Sequence, residues 1–369
     1  MSEQAGLERN ILKYEVEKMK KRTLTLGLTL LTVLATAAPA YADSGFADIA
    51  GHEDAAVIEK WCDYGIVEGY GGNFRPDDAV TESELDIMLD RLMGREVSAW
   101  SKSGGLSYGQ AEAMLKEDFV NYSFTGSESG ELTRAGAVTY LEELVGPVDT
   151  VYDHAYIGAL DGGFTDTIEA YAQAEGWTVE EFNQICQLPA SSMSAIQLTS
   201  MNKIRDKQLK PKADTLVQKV ITEYDVNKYL DGSYQTPKGF ISICADVKQY
   251  VTVKDCYYGL RLDYAGTYFK PDDPYYGVIR FTADNSAEAT VPKSPANGGA
   301  VEDPYPFGGA GFTTGTAGRM GSPEWVLPVF AQINAGGAQL LLIAEDGTET
   351  VKGVYNDYAG RFLNLTIEP

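Results

Sequence analysis

The side chains best placed for ligand chemistry sit in Leu132-Thr133-Arg134-Ala135-Gly136. Ala137, Leu141 and Leu144 follow at helical spacing, so Arg134 falls in the first turn of a predicted helix. A guanidinium there can grip a carboxylate through two parallel hydrogen bonds, and the N–H groups of a helix start favour the same negative charge. The plainer use of such a residue is an ordinary solvated surface arginine, and both uses stay open. Thr133 stands at the N-cap, with Gly136 where a glutamate would complete a capping box; that loss weakens the cap by a fraction of about 1 kcal/mol.

Other chemistries find less support. The chain has two histidines, His52 and His154, so a paired-histidine metal site or a His-Glu-x-x-His helix is not expected, and neither a metal nor a cofactor is assigned. Gly105-Leu-Ser107-Tyr-Gly109 has the letters of a nucleophile elbow but sits in a helical stretch without the strand that motif needs. Ser200-Met-Asn-Lys203 has the letters of a serine-lysine motif, with no Lys-Thr-Gly after it. The turn Asp161-Gly-Gly-Phe-Thr-Asp166 lacks the ligand spacing of a calcium loop. Glu324, beside Trp325, is the one acid named for glycoside hydrolysis, against the simpler reading of a surface loop acid. No catalytic residue is assigned.

The elements that must carry this chemistry start with residues 46–94. Ala55, Ile58, Trp61 and Cys62 form one apolar stripe of a short helix that Gly65 ends. Four glycines fall within 65–76, and Phe74-Arg75-Pro76 brings an aromatic ring back onto the helix pair. Thr81 and Glu84 make a capping box for a second helix, whose buried stripe is Leu85, Met88, Leu89 and Leu92. A unit of about 50 residues buries too little apolar surface to stand alone, so it should pack against a neighbour of its own kind.

Residues 43–94 resemble the S-layer homology repeat of bacterial surface proteins. The matching pieces are Phe46-Ala-Asp48-Ile49, Gly51-His52, Gly65-Ile66-Val67-x-Gly69-Tyr70, Asn73-Phe74-Arg75-Pro76 and the helix start at Thr81. Residues 95–146 read as a degenerate second repeat, with a further helix start at Gly105–Gln110. The resemblance implies non-covalent attachment to a secondary cell-wall polysaccharide, often pyruvylated, in grooves between repeats packed as three prongs. It makes Arg134, Thr133, Asp48, Gly69 and Tyr70 the candidate ligand-binding residues. It departs from the family at Thr81-Glu82-Ser83-Glu84, where the usual arginine facing an anionic sugar is Glu82, which would repel a carboxylate.

Composition and flanking segments fit an exported protein. Met19-Lys-Lys-Arg22, an apolar run from Thr23 to Ala37 and Ala40-Tyr41-Ala42 read as a secretory signal behind a charged leader, residues 1–42, with cleavage after Ala42. The apolar run is too short to span a membrane, and no membrane span is expected in the mature chain. The formal charge of the chain is -23, which argues against nucleic acid and anionic membranes as partners. Of the four cysteines, Cys62 lies on a buried stripe, while Cys244 and Cys256 either bridge two predicted strands or stay as core thiols.

The fold class expected is multi-domain α+β. Residues 147–236 read as a helical segment, including a helix over Lys203–Tyr229 broken by Pro211. From residue 237 the period falls to two, and strands are expected at 240–244, 250–253, 257–262, 276–281, 325–330, 339–343, 349–351 and 361–365, as an antiparallel sandwich or barrel. Asp346-Gly347 reads as a hairpin turn, and the long loop 293–324 carries Tyr305, Phe307 and Phe312, which can line a sugar site or tie the loop to the core. Three functions follow as expectations: a wall-attached surface protein displaying a β-rich binding domain, a secreted wall-associated enzyme acting through that domain, or an assembly partner of other surface-layer proteins.

Overall fold

Three helix starts meet at one point in the N-terminal part of the chain. The computed structural model describes residues 46–101, 104–123, 129–146, 150–264, 266–299, 308–313 and 320–365; the leader and signal segment 1–42, and Tyr305 and Phe307, lie outside them. Helices α1 (Ala55–Asp63), α2 (Glu82–Leu92), α3 (Tyr108–Asp118) and α4 (Arg134–Val145) build this part. The hydroxyls of Thr81, Ser107 and Thr133 cap α2, α3 and α4, accepting from the amides of Glu84, Gln110 and Gly136, and the first two are full capping boxes.

The residue before each cap is extended, apolar and buried: Val80, Leu106 and Leu132. Their backbones close a ring, in which Leu106 N donates to Val80 O at 2.9 Å, Leu132 N to Leu106 O at 2.8 Å, and Val80 N to Leu132 O at 2.8 Å. Three helices therefore leave a common centre, and the degenerate stretch 95–146 supplies two of them. Helix α1 lies along α4, where Lys60 Nζ reaches Glu142 at 2.7 Å and Trp61 Nε1 donates to the same carboxylate at 2.9 Å.

The C-terminal part is built on one antiparallel sheet, β1 (Val217–Ile221), β2 (Gly239–Ile243), β3 (Tyr275–Ala283), β4 (Trp325–Leu327), β5 (Ile333–Ala344), β6 (Glu349–Asn356) and β7 (Arg361–Asn364), in the order β4-β2-β1-β3-β5-β6-β7. The α+β class holds, with the strands gathered in one open sheet in place of a two-layer sandwich or closed barrel. Helices take the place of a second sheet. On one face α9 (Glu223–Leu230) packs Val226 and Tyr229 against Ile279, Phe281, Leu340 and Phe362. On the other, α10 (Val253–Gly259) packs Val253 and Cys256 against Tyr276, Val278 and Ile343. Between the two parts, α5 (His154–Gly158), α6 (Phe164–Ala174), α7 (Val179–Cys186) and α8 (Ala195–Arg205) enclose Phe164, Phe182, Met201 and Ile204. Phe312 of the long loop joins this core, 5.6 Å from the Phe164 ring, so it ties the loop down.

Local chemistry overrides periodicity in three places. The expected strands at 250–253 and 257–262 give way to α10, because Thr252 and Asp255 form a capping box that the β-branched run around them does not outweigh. Within the expected helix at 203–229, Val217–Ile221 is instead a central strand paired to β2 and β3; its β-branched residues suit a sheet buried on both faces. Trp325–Leu327 stops short of the expected Phe330 because Pro328 cannot continue a ladder. Asp346-Gly347 does turn the β5–β6 hairpin, with Gly347 at φ 89°. No helix among the described residues is long and apolar enough to cross a membrane.

The helical part rests on the sheet's β6–β7 edge. Val354, Leu363 and Leu365 belong to the same apolar cluster as Leu85, Leu89 and Leu141. Arg361 Nη2 donates to Met93 O at 2.8 Å and to Leu230 O at 2.7 Å, and Asn356 Nδ2 donates to Leu144 O at 2.7 Å.

All four cysteines are free thiols, so the Cys244–Cys256 bridge is not made; Cys256 lies on α10 and not on a strand facing Cys244. The mass of the intact protein is expected to stay unchanged on reduction, and Cys186, Cys244 and Cys256, all buried, should take up maleimide only after unfolding. Leu106→Ala opens the centre of the ring and is expected to cost about 2–5 kcal/mol in urea denaturation.

Candidate functional site

Arg134 opens α4 and is only 5% exposed. Its Nε donates to Phe74 O at 2.8 Å, its Nη2 to Glu68 O at 2.8 Å, and its Nη1 pairs with Glu84 Oε1. The other Glu84 oxygen accepts from Thr81 N and the Thr81 hydroxyl, both at 2.9 Å, so one carboxylate caps α2 and holds α4 at once. The guanidinium carbon lies 4.8 Å from the centre of the Phe74 ring, a cation–π contact. Arg134 is thus no solvated surface arginine. It clamps the turn over residues 68–74 to the starts of two helices, using three of a guanidinium's five N–H groups.

The same turn gathers the other candidate residues. Asp48 accepts from Phe74 N at 2.8 Å and Arg75 N at 2.6 Å, fixing the turn's exit, where Arg75 takes a left-handed φ of 59°. At Gly69 a Cβ would sit 2.1 Å from the Phe46 ring and 2.6 Å from Asn73 O, so the close approach admits only glycine. Tyr70 exchanges backbone hydrogen bonds with Asn73, at 2.8 and 3.2 Å, across Gly71 and Gly72. Its side chain is left 82% exposed at the tip. Thr133 spends its hydroxyl on the Gly136 amide at 3.0 Å. The structure therefore brings Arg134, Asp48, Gly69 and Tyr70 to one turn, with Thr133 at its edge, and only Tyr70 projects freely from it.

The double use of Glu84 and the carbonyls of Glu68 and Phe74 were not legible as site residues. The signal that leads to them is the even spacing of Thr81, Ser107 and Thr133, 26 residues at each step. Motifs elsewhere dissolve into structure. Ser200 Oγ and Lys203 Nζ both bind Glu175, at 2.8 and 3.0 Å, and Ser107 is a helix cap. His52 Nδ1 accepts from Asp54 N at 3.1 Å within the same N-terminal unit. His154 Nε2 lies 2.9 Å from Val251 O and 3.1 Å from Glu349.

Residues 45–85 match the family model for the S-layer homology domain. The chain contains an S-layer homology domain. No curated protein and no solved structure matches it. S-layer homology domains attach proteins to cell-wall polysaccharide at the bacterial surface, and that role extends to this chain at the level of surface anchoring. The matched stretch ends in the first turn of α2. The starts of α3 and α4, with Arg134, come to the S-layer homology unit through the ring.

The clamp and the turn respond to different changes. Arg134→Met leaves Glu84 without its cation and is expected to destabilise the protein by about 3 kcal/mol in urea denaturation. Burial pushes the Asp48 carboxyl up, but the Phe74 and Arg75 amides and the Arg134 charge outweigh it and hold the group below the usual carboxylate range. A depressed folded value means that Asp48 stabilises the turn at neutral pH and stops doing so as pH falls through that value. Amide signals of Phe74 and Arg75 should move below about pH 4, and Asp48→Asn should abolish that titration.

Proposed function

We propose that this protein is exported and held non-covalently to secondary cell-wall polysaccharide through residues 43–146, presenting its sheet domain away from the wall. The observation that carries this reading is an exposed tyrosine on a turn that five separate groups hold rigid: Asp48, Phe46, Asn73, Arg134 and, through Arg134, Glu84. An aromatic ring carried into solvent on a rigid turn offers a flat apolar face to a sugar, with the ordering cost at binding confined to its own side chain. Arg134, buried and spent on Phe74 O, Glu68 O and Glu84, serves the ligand by holding the turn that carries this ring.

Charge separates the three helix starts. Position one of α2, α3 and α4 is Glu82, Tyr108 and Arg134, so of the three only the start of α4 favours an acidic sugar. Gly69, Asp48 and Thr133 act on the ligand through the turn and helix they hold. The ring also closes within one chain, which supports attachment by a single molecule over assembly with other surface-layer proteins.

The test is sedimentation of the mature full-length protein with purified wall. Wild type should pellet, and wall stripped of its secondary polysaccharide should leave it in solution. Tyr70→Ala should lower the bound fraction at least tenfold with no change in melting temperature, since the ring touches solvent and not core. Wild-type protein remaining soluble beside wall that retains another S-layer homology protein would refute the reading, and a secreted form not beginning at Asp43 would refute the export route.

A further inference from the structure

The sheet splits between β1 and β2. They pair only at Val217 with Ile243 and Gln218 with Ser242. Beyond that point β2 turns to β4, pairing Gly239, Phe240 and Ile241 with Leu327, Val326 and Trp325, while Lys219, Val220 and Ile221 stay with β3. The slot between the diverging strands opens into two cavities, of about 280 and 610 Å3, and Lys219 lines both.

Lys219 is an odd residue for such a place. Its Nζ makes one long contact, 3.5 Å to Phe240 O, and no carboxylate among the described residues lies within ion-pairing distance. The side chain is half-buried; burial pulls its pKa below the usual lysine range against the opposing charge of Asp225, which lines the larger cavity with it. The larger cavity carries two lysines, Lys219 and Lys238, against one acid, Asp225, and in a chain of net charge -23 that local excess of positive charge points to an anion from outside. The walls add rings and polar edges. Phe330 is 58% exposed, with Lys238 Nζ 4.4 Å from its centre, and Tyr234 faces the same cavity. Gln218 and Ser242 line the other.

We propose that this slot is a second binding site, for a carboxylate-bearing saccharide. Exposed aromatic faces suit the C–H face of a pyranose, the amide and hydroxyl suit its ring hydroxyls, and Lys219 meets the carboxylate. Arg261, which lines the smaller cavity, holds Asp263 at 2.6 Å. The site shares no residue with the Tyr70 turn and stands whether or not that turn binds wall polymer.

The test is saturation-transfer NMR and calorimetry on the mature full-length protein with glucuronate, galacturonate and N-acetylmuramate, each against its neutral counterpart. At least one acid should bind about tenfold more tightly than its neutral twin. Lys219→Met should remove that tenfold preference while the melting temperature holds or rises, and Tyr70→Ala should leave it intact. Lys238→Met and Phe330→Ala, both at the exposed rim, should each weaken binding severalfold and keep the test alive if Lys219→Met fails to fold. The proposal is overturned if no acid is preferred over its neutral twin, if the preference survives in Lys219→Met, or, should that variant not fold, if neither rim variant weakens binding.

Discussion

Three backbone hydrogen bonds, Val80 to Leu132, Leu132 to Leu106 and Leu106 to Val80, hold the N-terminal helical half of this protein together. Each joins a single extended residue, so none is part of a strand ladder. Their strength comes from what surrounds them: the three side chains are buried together, and the next residue in each case caps a helix. A buried amide or carbonyl left unpaired there would cost about 1–3 kcal/mol, so the three segments must arrive together or not at all. That requirement also fixes the direction of α2, α3 and α4, because an N-cap sets the axis of the helix that follows it.

The ring is close to threefold in backbone and far from it in chemistry. Glu84, Gln110 and Gly136 occupy the same capping position, yet only Glu84 can also pair with a cation. Arg134 is the cation that uses it, and in doing so it binds α4 to α2 and both to the turn bearing Tyr70. The salt bridge is buried, so its contribution lies less in net stability than in geometry: moving Arg134 leaves an unpaired carboxylate and two abandoned carbonyls.

Where local side-chain chemistry decides structure, the sequence is readable. Thr81 with Glu84 and Asp346 with Gly347 both do what their spacing implies. Thr252 with Asp255 obeys the same rule, but alternating apolar residues around it suggest strands, and periodicity gives no warning that a cap will prevail. The strand Val217–Ile221 fails for the opposite reason: Gln218 and Lys219 break any clean alternation of Val217, Val220 and Ile221, and a short run of that kind fits a helix as well. At the site, Arg134 is legible by type and position, whereas its partners are main-chain oxygens of Glu68 and Phe74, which carry no signature in any residue name.

The two halves of the molecule are joined by more than a shared apolar edge. The chain leaving α4 crosses one face of the sheet, where a row of polar side chains on adjacent strands, Gln218, Arg280 and Gln339, replaces apolar packing. Gln339 accepts from Tyr152 N at 2.8 Å and donates to Thr150 O at 2.6 Å; Arg280 donates to Tyr152 O and holds Glu349 through both terminal nitrogens, at 2.6 and 3.0 Å. Glu349 in turn accepts from His154 N at 2.6 Å. The bonds to Thr150, Tyr152 and His154 fix backbone of the connecting segment to the sheet, and Arg361 closes the far side by joining the end of α2 to the end of α9. A linker free to swing would leave an Arg280 N–H, a Glu349 oxygen and the Gln339 amide without their backbone partners, a cost of about 1–3 kcal/mol for each group left unpaired. The sheet is therefore carried at a set angle to the helical ring, so a surface docked through the Tyr70 turn also fixes which way the slot at Lys219 faces.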